Sequence, residues 1–290
     1  RGFDEIHAIT SQEVGSGDIS AGEPSKLPEM PVMLKRLPQS QDARSDIHRF
    51  WEQTGSFYIA GQGSDNLVDP FIAQSLIPAS TGIYRDMTQV RFEYPAWDPA
   101  KCTACGDCYA VCPDTALPGL VNSIGEILDT AVRRIETGGR PTRHLRRAVR
   151  DLDKRLRQAL LEVGEEADVR AELDRAIAGL ISESALQEAD KNRLEEELGW
   201  LRESLGGFQF AVTKPFFIAQ EKRQPGSGGL FSLTVNPYAC KGCMECVRIC
   251  DEGALEAVTQ TPEDVERMRR DWQFWLDLPT TSPEYIRIED

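Results

Sequence analysis

The eight cysteines constrain this chain more than any other feature. They fall into two groups, Cys102, Cys105, Cys108, Cys112 and Cys240, Cys243, Cys246, Cys250, each with the spacing C-x2-C-x2-C-x3-C. Thiolates at every third residue can wrap one cubane of iron and sulfide while the loop amides turn towards its sulfurs. The fourth cysteine of each run, expected at the start of a following helix, reaches the other cluster. The expected ligand sets are therefore Cys102, Cys105, Cys108 and Cys250 for one 4Fe-4S cluster, and Cys240, Cys243, Cys246 and Cys112 for the second. Structural zinc favours two separated ligand pairs, and a four-cysteine run this compact poorly suits one tetrahedral ion. A disulfide framework belongs to small secreted domains, whereas this chain has 290 residues and is 28% charged. Two clusters, assembled in a reducing compartment, place the chain in the cytoplasm.

The motifs differ after their last cysteine, where Pro113 follows Cys112 and Asp251 follows Cys250. Proline pre-sets a first helical turn, and aspartate favours a helix N-terminus through the dipole. Asp251 also puts negative charge beside a ligand of the first cluster, which disfavours adding an electron there. A plain cap with no electronic consequence is the alternative.

The expected class is α+β: a two-cluster, bacterial ferredoxin-like domain (96–120 and 208–260) split by a helical-hairpin insertion (121–207). An irregular N-terminal extension (1–95) precedes it, and an amphipathic helix and tail (261–290) follow. Within the insertion, Ile124, Leu128, Ala131 and Ile135 form one apolar stripe. Leu145, Val149, Leu152, Leu156, Ala159 and Val163 form a narrow three-four seam. Val169, Leu173, Ile177 and Leu180 make a third stripe, and Leu194, Leu198, Leu201 and Leu205 a fourth that stops at Gly206 and Gly207. Ser184 with Gln187 reads as a capping box ahead of the fourth helix. Phe208–Ile218 and Leu230–Val235 read as strands flanking the second loop, with the turn-rich Gln224–Gly229 between them. Gly226, Gly228 and Gly229 lack the Lys-Ser/Thr pair of a phosphate loop. Thr10–Ser45 reads as an extended segment rich in Pro, Gly, Ser and charge, and Phe50–Trp97 as ordered but irregular. Thr261, Pro262 and Asp264 open a helix whose Val265, Met268, Trp272 and Trp275 share a face that must bury against another domain or subunit.

Charge excludes other classes. A net charge of -14 argues against nucleic acid, whose affinity rests on Lys and Arg neutralising phosphates, and against an anionic membrane surface. No apolar run approaches the roughly 18 residues of a membrane span, and Arg1–Thr10 contain no signal core. The chain begins with Arg, consistent with a processed product or a piece of a longer polypeptide. Arg133, Arg134, Arg140, Arg143, Arg146, Arg147, Arg150, Lys154, Arg155 and Arg157 make the first half of the insertion basic, whereas 162–203 is mostly acidic. The halves either lie against each other with complementary surfaces, or the basic half docks an acidic partner. His7, His48 and His144 are isolated and by default surface residues. With no Walker loop and no complete dinucleotide fingerprint, the catalytic set is empty, and electron transfer is the expected role.

The stretch YPAWDPAKCTACGDCYAVCPDTALPGL (94–120) resembles the start of the two-cluster ferredoxin domain of pyruvate:ferredoxin oxidoreductase and its 2-oxoacid relatives. Phe231–Leu255, with NPYACKGCMECVRIC, resembles its second half. The lead-in DPFIAQSLIPASTGIYRDMTQVRFEYP and the tail WQFWLDLPTTSPEYI resemble the flanks of that domain in long family members. The resemblance implies CoA-dependent oxidative decarboxylation of a 2-oxoacid on thiamine diphosphate with Mg, with single electrons leaving to ferredoxin or flavodoxin. It also implies that the thiamine-binding domains or subunits lie elsewhere in an oligomeric assembly. The iron-sulfur subunit of a hydrogenase or formate dehydrogenase, and a module whose clusters only hold the fold, are the competing readings.

Overall fold

The computed structural model describes residues 28–42, 46–66, 73, 75 and 81–286. The expectations for Thr10–Ser45 and for the lead-in at 69–95 fall partly outside these residues, and His7 lies wholly outside them. The chain divides into two compact units, Arg1–Arg85 and Asp86–Asp290.

In the first unit, α1 (Val32–Arg36) is a short helix inside the stretch expected to be extended. Helix α2 (Ile47–Phe50) is capped by Asp46 and runs through a π-helical turn, Trp51–Gly55, into α3 (Ser56–Ile59). Tyr84 ties this segment down: its hydroxyl donates to Ile47 O at 2.5 Å, and its ring packs on Phe50 and Trp51. His48 is not at the surface. It is buried with Nε2 2.8 Å from Leu34 O, because the local packing offers its ring a carbonyl partner in place of water.

The second unit is built from two similar halves. In the first, β1 (Glu93–Trp97), a cysteine loop, the short helix α4 (Asp107–Val111) and β2 (Gly119–Ser123) follow one another. In the other half, β3 (Gly229–Leu233), a cysteine loop, α10 (Glu245–Arg248) and β4 (Leu255–Thr259) repeat that order. The strands pair across the halves, antiparallel, β1 with β4 and β2 with β3. Ser123, the last residue of β2, lies opposite Gly229, the first of β3, so everything between them leaves and re-enters the sheet at one place.

That intervening sequence forms four long helices, α5 (Ile124–Thr137), α6 (Leu145–Val163), α7 (Val169–Ser182) and α8 (Glu188–Leu205). Ser123 and Glu126 close a reciprocal capping box on α5. The four stripes bury into one core except at the end of the second, where Leu160 is fully buried while Ala159 is half-buried and Val163 is 49% exposed. A straight helix of 3.6 residues per turn drifts off a strict 3.5 seam, so by the last turn the inward face has rotated onto Leu160. The box expected at Ser184–Gln187 is absent. Helix α8 starts at Glu188 with no side-chain cap, and the Ser184 hydroxyl instead accepts from Leu186 N at 3.4 Å. Glu197 is buried in this core and accepts from the N–H groups of Arg143, His144 and Leu145, each at 2.8 Å, so it supplies the missing cap at the start of α6. Burial alone would push its pKa up, but these N–H groups and Arg193 outweigh that and hold it below the usual carboxylate range.

Phe208–Ile218 is not a strand. It makes one bridge, Ala211 to Phe231, and then a π-helical turn, Lys214–Ile218, leads into α9 (Ala219–Arg223), because Pro215 removes the N–H a ladder would need. The glycines that follow wrap a carboxylate: buried Glu221 accepts from Gly226 N at 2.9 Å and Gly228 N at 2.7 Å and pairs with Arg157 at 2.5 Å. Helix α11 (Pro262–Asp277) opens with the Thr261–Asp264 box. Its apolar face is covered by this chain itself: Val265 and Met268 pack among the cysteine loops, while Phe274 and Leu278 enter the four-helix core. Some of the basic residues expected to face an acidic half do so, whereas Arg134 pairs with Asp277, Arg146 with Glu136, and Arg157 with Asp153 and Glu221. Arg140 pairs with Glu203 and Arg155 with Glu183, both at 2.5 Å, and Arg143 lies 3.9 Å from Asp190. Among the described residues no helix is long and apolar enough to cross a membrane.

Candidate metal centres

The two cysteine loops share one backbone plan. After the first cysteine, the residues two and four positions on have positive φ: Ala104 (59°) and Gly106 (84°) in one loop, Gly242 (71°) and Met244 (60°) in the other. Three residues after the last cysteine a third such residue follows, Thr115 (50°) and Gly253 (62°). At each equivalent pair one loop has glycine and the other pays the cost of a side chain in the left-handed region, of order 1 kcal/mol. Such turns aim successive N–H groups into a concavity suited to anions. The N–H groups of Ala104, Tyr109 and Gly242 favour the thiolate forms of Cys102, Cys108 and Cys240, respectively.

Neither fourth cysteine begins a helix. Cys112 and Cys250 follow α4 and α10, and each enters a turn towards the next strand. Their sulfurs accept from Ala116 N at 3.2 Å and Ala254 N at 3.3 Å, which leaves no helix for Pro113 or Asp251 to start.

The cysteines line two cavities. One is walled by Cys102, Cys105, Cys108 and Cys250 with Trp97 and Phe231. The other is walled by Cys112, Cys240, Cys243 and Cys246 with Pro95 and Leu117. Cys105 and Cys243, the second cysteine of each motif, are the exposed members of the two sites, and only the second site has buried cysteines, Cys240 and Cys246. Burial pushes the Cys108 thiol up to about 11 and that of Cys246 to about 12, and neighbouring thiolates add to the shift. Burial likewise raises Cys102 and Cys240. Four thiolates in so small a volume repel one another and require a cationic centre among them. The Trp97 indole N–H is buried on the wall of the first cavity, where it favours the Cys102 thiolate, as suits a site of sulfur ligands. Among the described residues no three His, Cys, Asp or Glu side chains converge on a point that would seat a single ion. A cubane asks for a different arrangement, one thiolate at each iron around a body several atoms across.

Sequence reasoning missed the groups beneath the second loop. Arg91 is buried, donating from Nη1 to Cys240 O at 2.9 Å and to Pro237 O at 2.5 Å, and from Nε to Gln260 Oε1 at 2.5 Å. Thr88 Oγ1 adds a bond to Pro237 O at 3.3 Å, and Gln260 returns one to Thr88 O at 3.0 Å. An arginine two residues before a strand has no periodic or motif signature, so nothing local distinguishes it from a surface cation.

Residues 94–118 match the family model for a 4Fe-4S binding domain. The chain carries an iron-sulfur domain. It is 32% identical over 228 residues to a protein of Synechocystis sp. that bears the name pyruvate-flavodoxin oxidoreductase. That alignment covers 76% of this chain and 12% of the relative, so the chain spans about an eighth of the relative's length. No solved structure matches.

Proposed function

We propose that this segment relays electrons through two 4Fe-4S clusters, one held by Cys102, Cys105, Cys108 and Cys250 and the other by Cys240, Cys243, Cys246 and Cys112. The observation that carries the reading is the lining of the two cavities, each by three cysteines of one motif and the last of the other. Bound clusters supply reversible one-electron storage. The chain's own groups hold the thiolates apart, shield Cys240 and Cys246 from water, and direct the N–H groups of Ala104, Tyr109 and Gly242 at sulfur, which favours added negative charge. The ligand exchange ties the halves together and keeps the two sites close, as electron transfer requires.

The wider role is that of the electron-transfer portion of a thiamine-dependent 2-oxoacid oxidoreductase, passing electrons to ferredoxin or flavodoxin. The likeness to the Synechocystis protein and the flanks of both motifs support it. Iron and sulfide analysis of the anaerobically purified chain, with EPR of its reduced form, tests the relay. Two interacting 4Fe-4S signals are expected, and Cys250→Ser and Cys112→Ser each disturb the site built mainly by the other motif. If each instead disturbs the site of its own motif, the crossed assignment falls. EPR of the native assembly after adding pyruvate or 2-oxoglutarate with CoA tests the wider role. Clusters that reduce with dithionite but with no 2-oxoacid would move the segment to another redox complex, of the hydrogenase or formate dehydrogenase type.

A further inference from the structure

The charge around the two sites is unequal. The charged groups lining the first cavity are Asp107, Asp251 and Glu252, all acids. Those lining the second are Asp114 and Lys241, which pair at 2.9 Å and largely cancel. Behind the second cavity lies Arg91, 4% exposed, with its guanidinium 2.9 Å from the carbonyl oxygen of the ligand Cys240 and held on its other edge by Gln260. The other charged groups acting on Arg91 are Asp86 and Arg269, of opposite sign. The acids of the first site are exposed and partly screened by salt, whereas a buried guanidinium acts through protein and stays charged. Both differences have the same sign. Reducing a cluster adds negative charge, which a fixed cation favours and carboxylates oppose.

We propose that Arg91 makes the site of Cys112, Cys240, Cys243 and Cys246 the higher-potential station, so that an electron shared between the sites rests there. This rests on the two-cluster reading above. In the step, one electron leaves the first cluster, which is oxidised, and enters the second, which is reduced. No bond is made or broken and no proton moves.

The test is an EPR-monitored redox titration of the anaerobically reconstituted full chain, with the second site's signal assigned by its disturbance in Cys243→Ser. Two midpoints are expected, with the higher at the second site. Arg91→Gln lowers that midpoint so that the electron distribution between sites changes at least tenfold, 59 mV for a one-electron couple, and leaves the first midpoint in place. Arg91→Lys retains the wild-type order. Should Arg91→Gln not fold, Gln260→Glu sets a carboxylate against the guanidinium and must lower the same midpoint. Asp251→Asn must raise the first midpoint and narrow the gap. Coincident or inverted midpoints in the wild type, or a second-site midpoint that Arg91→Gln or, in its place, Gln260→Glu leaves unmoved, overturn the proposal. A chain that assembles no pair of EPR-active clusters would instead overturn the two-cluster reading.

Discussion

Gly242 shows how tightly single residues constrain the second site. It sits at φ 71°, and a Cβ there would lie 2.7 Å from Glu93 O and 2.9 Å from Arg91 Cβ. The loop can therefore pass over β1 only without a side chain, and the obstruction is backbone that cannot rotate away. Gly242→Ala is expected to abolish the second site while the first persists, read as loss of one of two EPR signals together with its iron. Retention of both signals would mean that the loop can move off the strand. The equivalent residue of the first loop, Ala104, already carries a Cβ at φ 59°, so the two sites are alike in chain path and unlike in what lies beneath them.

At the scale of elements, the end of α6 separates pattern from packing. Leu160→Ala should cost about 2–5 kcal/mol, the usual range for emptying a closed core position. Val163→Ala should stay within about 0.5 kcal/mol. Thermal unfolding of the two variants would reverse in order if the three-four seam, rather than the drifted face, met the core. Helix α11 carries a pH-dependent weakness as well. Burial raises Asp271 to about 6, with Arg267 and Arg270 only partly opposing it. An unfolded aspartate titrates near ~3.9, so between that pH and about 6 the folded chain holds a proton the unfolded chain has released, and stability falls as pH rises through this window. Asp271→Asn should therefore raise the melting temperature at pH 7 and leave it little changed at pH 4. Equal effects at both pH values would locate the gain in packing rather than charge.

At the scale of the whole molecule, the second unit is a small sheet-and-loop body with a helical body grafted on one hairpin position. Ser123 and Gly229 face each other in register, so a short turn can replace the residues between them without breaking the β2–β3 ladder. Such a deletion is expected to keep both cysteine sites, counted as iron and sulfide per chain. It should also release the C-terminal half of α11 to proteolysis, because Phe274 and Leu278 lose the core that covers them. Loss of both sites on deletion would show that the helices support the loops themselves.

The sequence by itself was enough for the cysteine spacing, the four apolar stripes, the stop at Gly206 and the capping pattern at Thr261, because each is a local relation among residues a few positions apart. What lay beyond it was decided by partners distant in the chain. The Phe208–Ile218 segment has strand-like composition yet turns helical at Pro215, and His48 is buried because Leu34 O is there to meet it. Glu197 caps a helix more than fifty residues before it, and Arg91 reaches a loop nearly one hundred and fifty residues after it. Sequence can place a carboxylate or a guanidinium on the list of charges. Only the folded chain determines whether water or a backbone group stands against it, and the free energy of a buried charge depends on that neighbour.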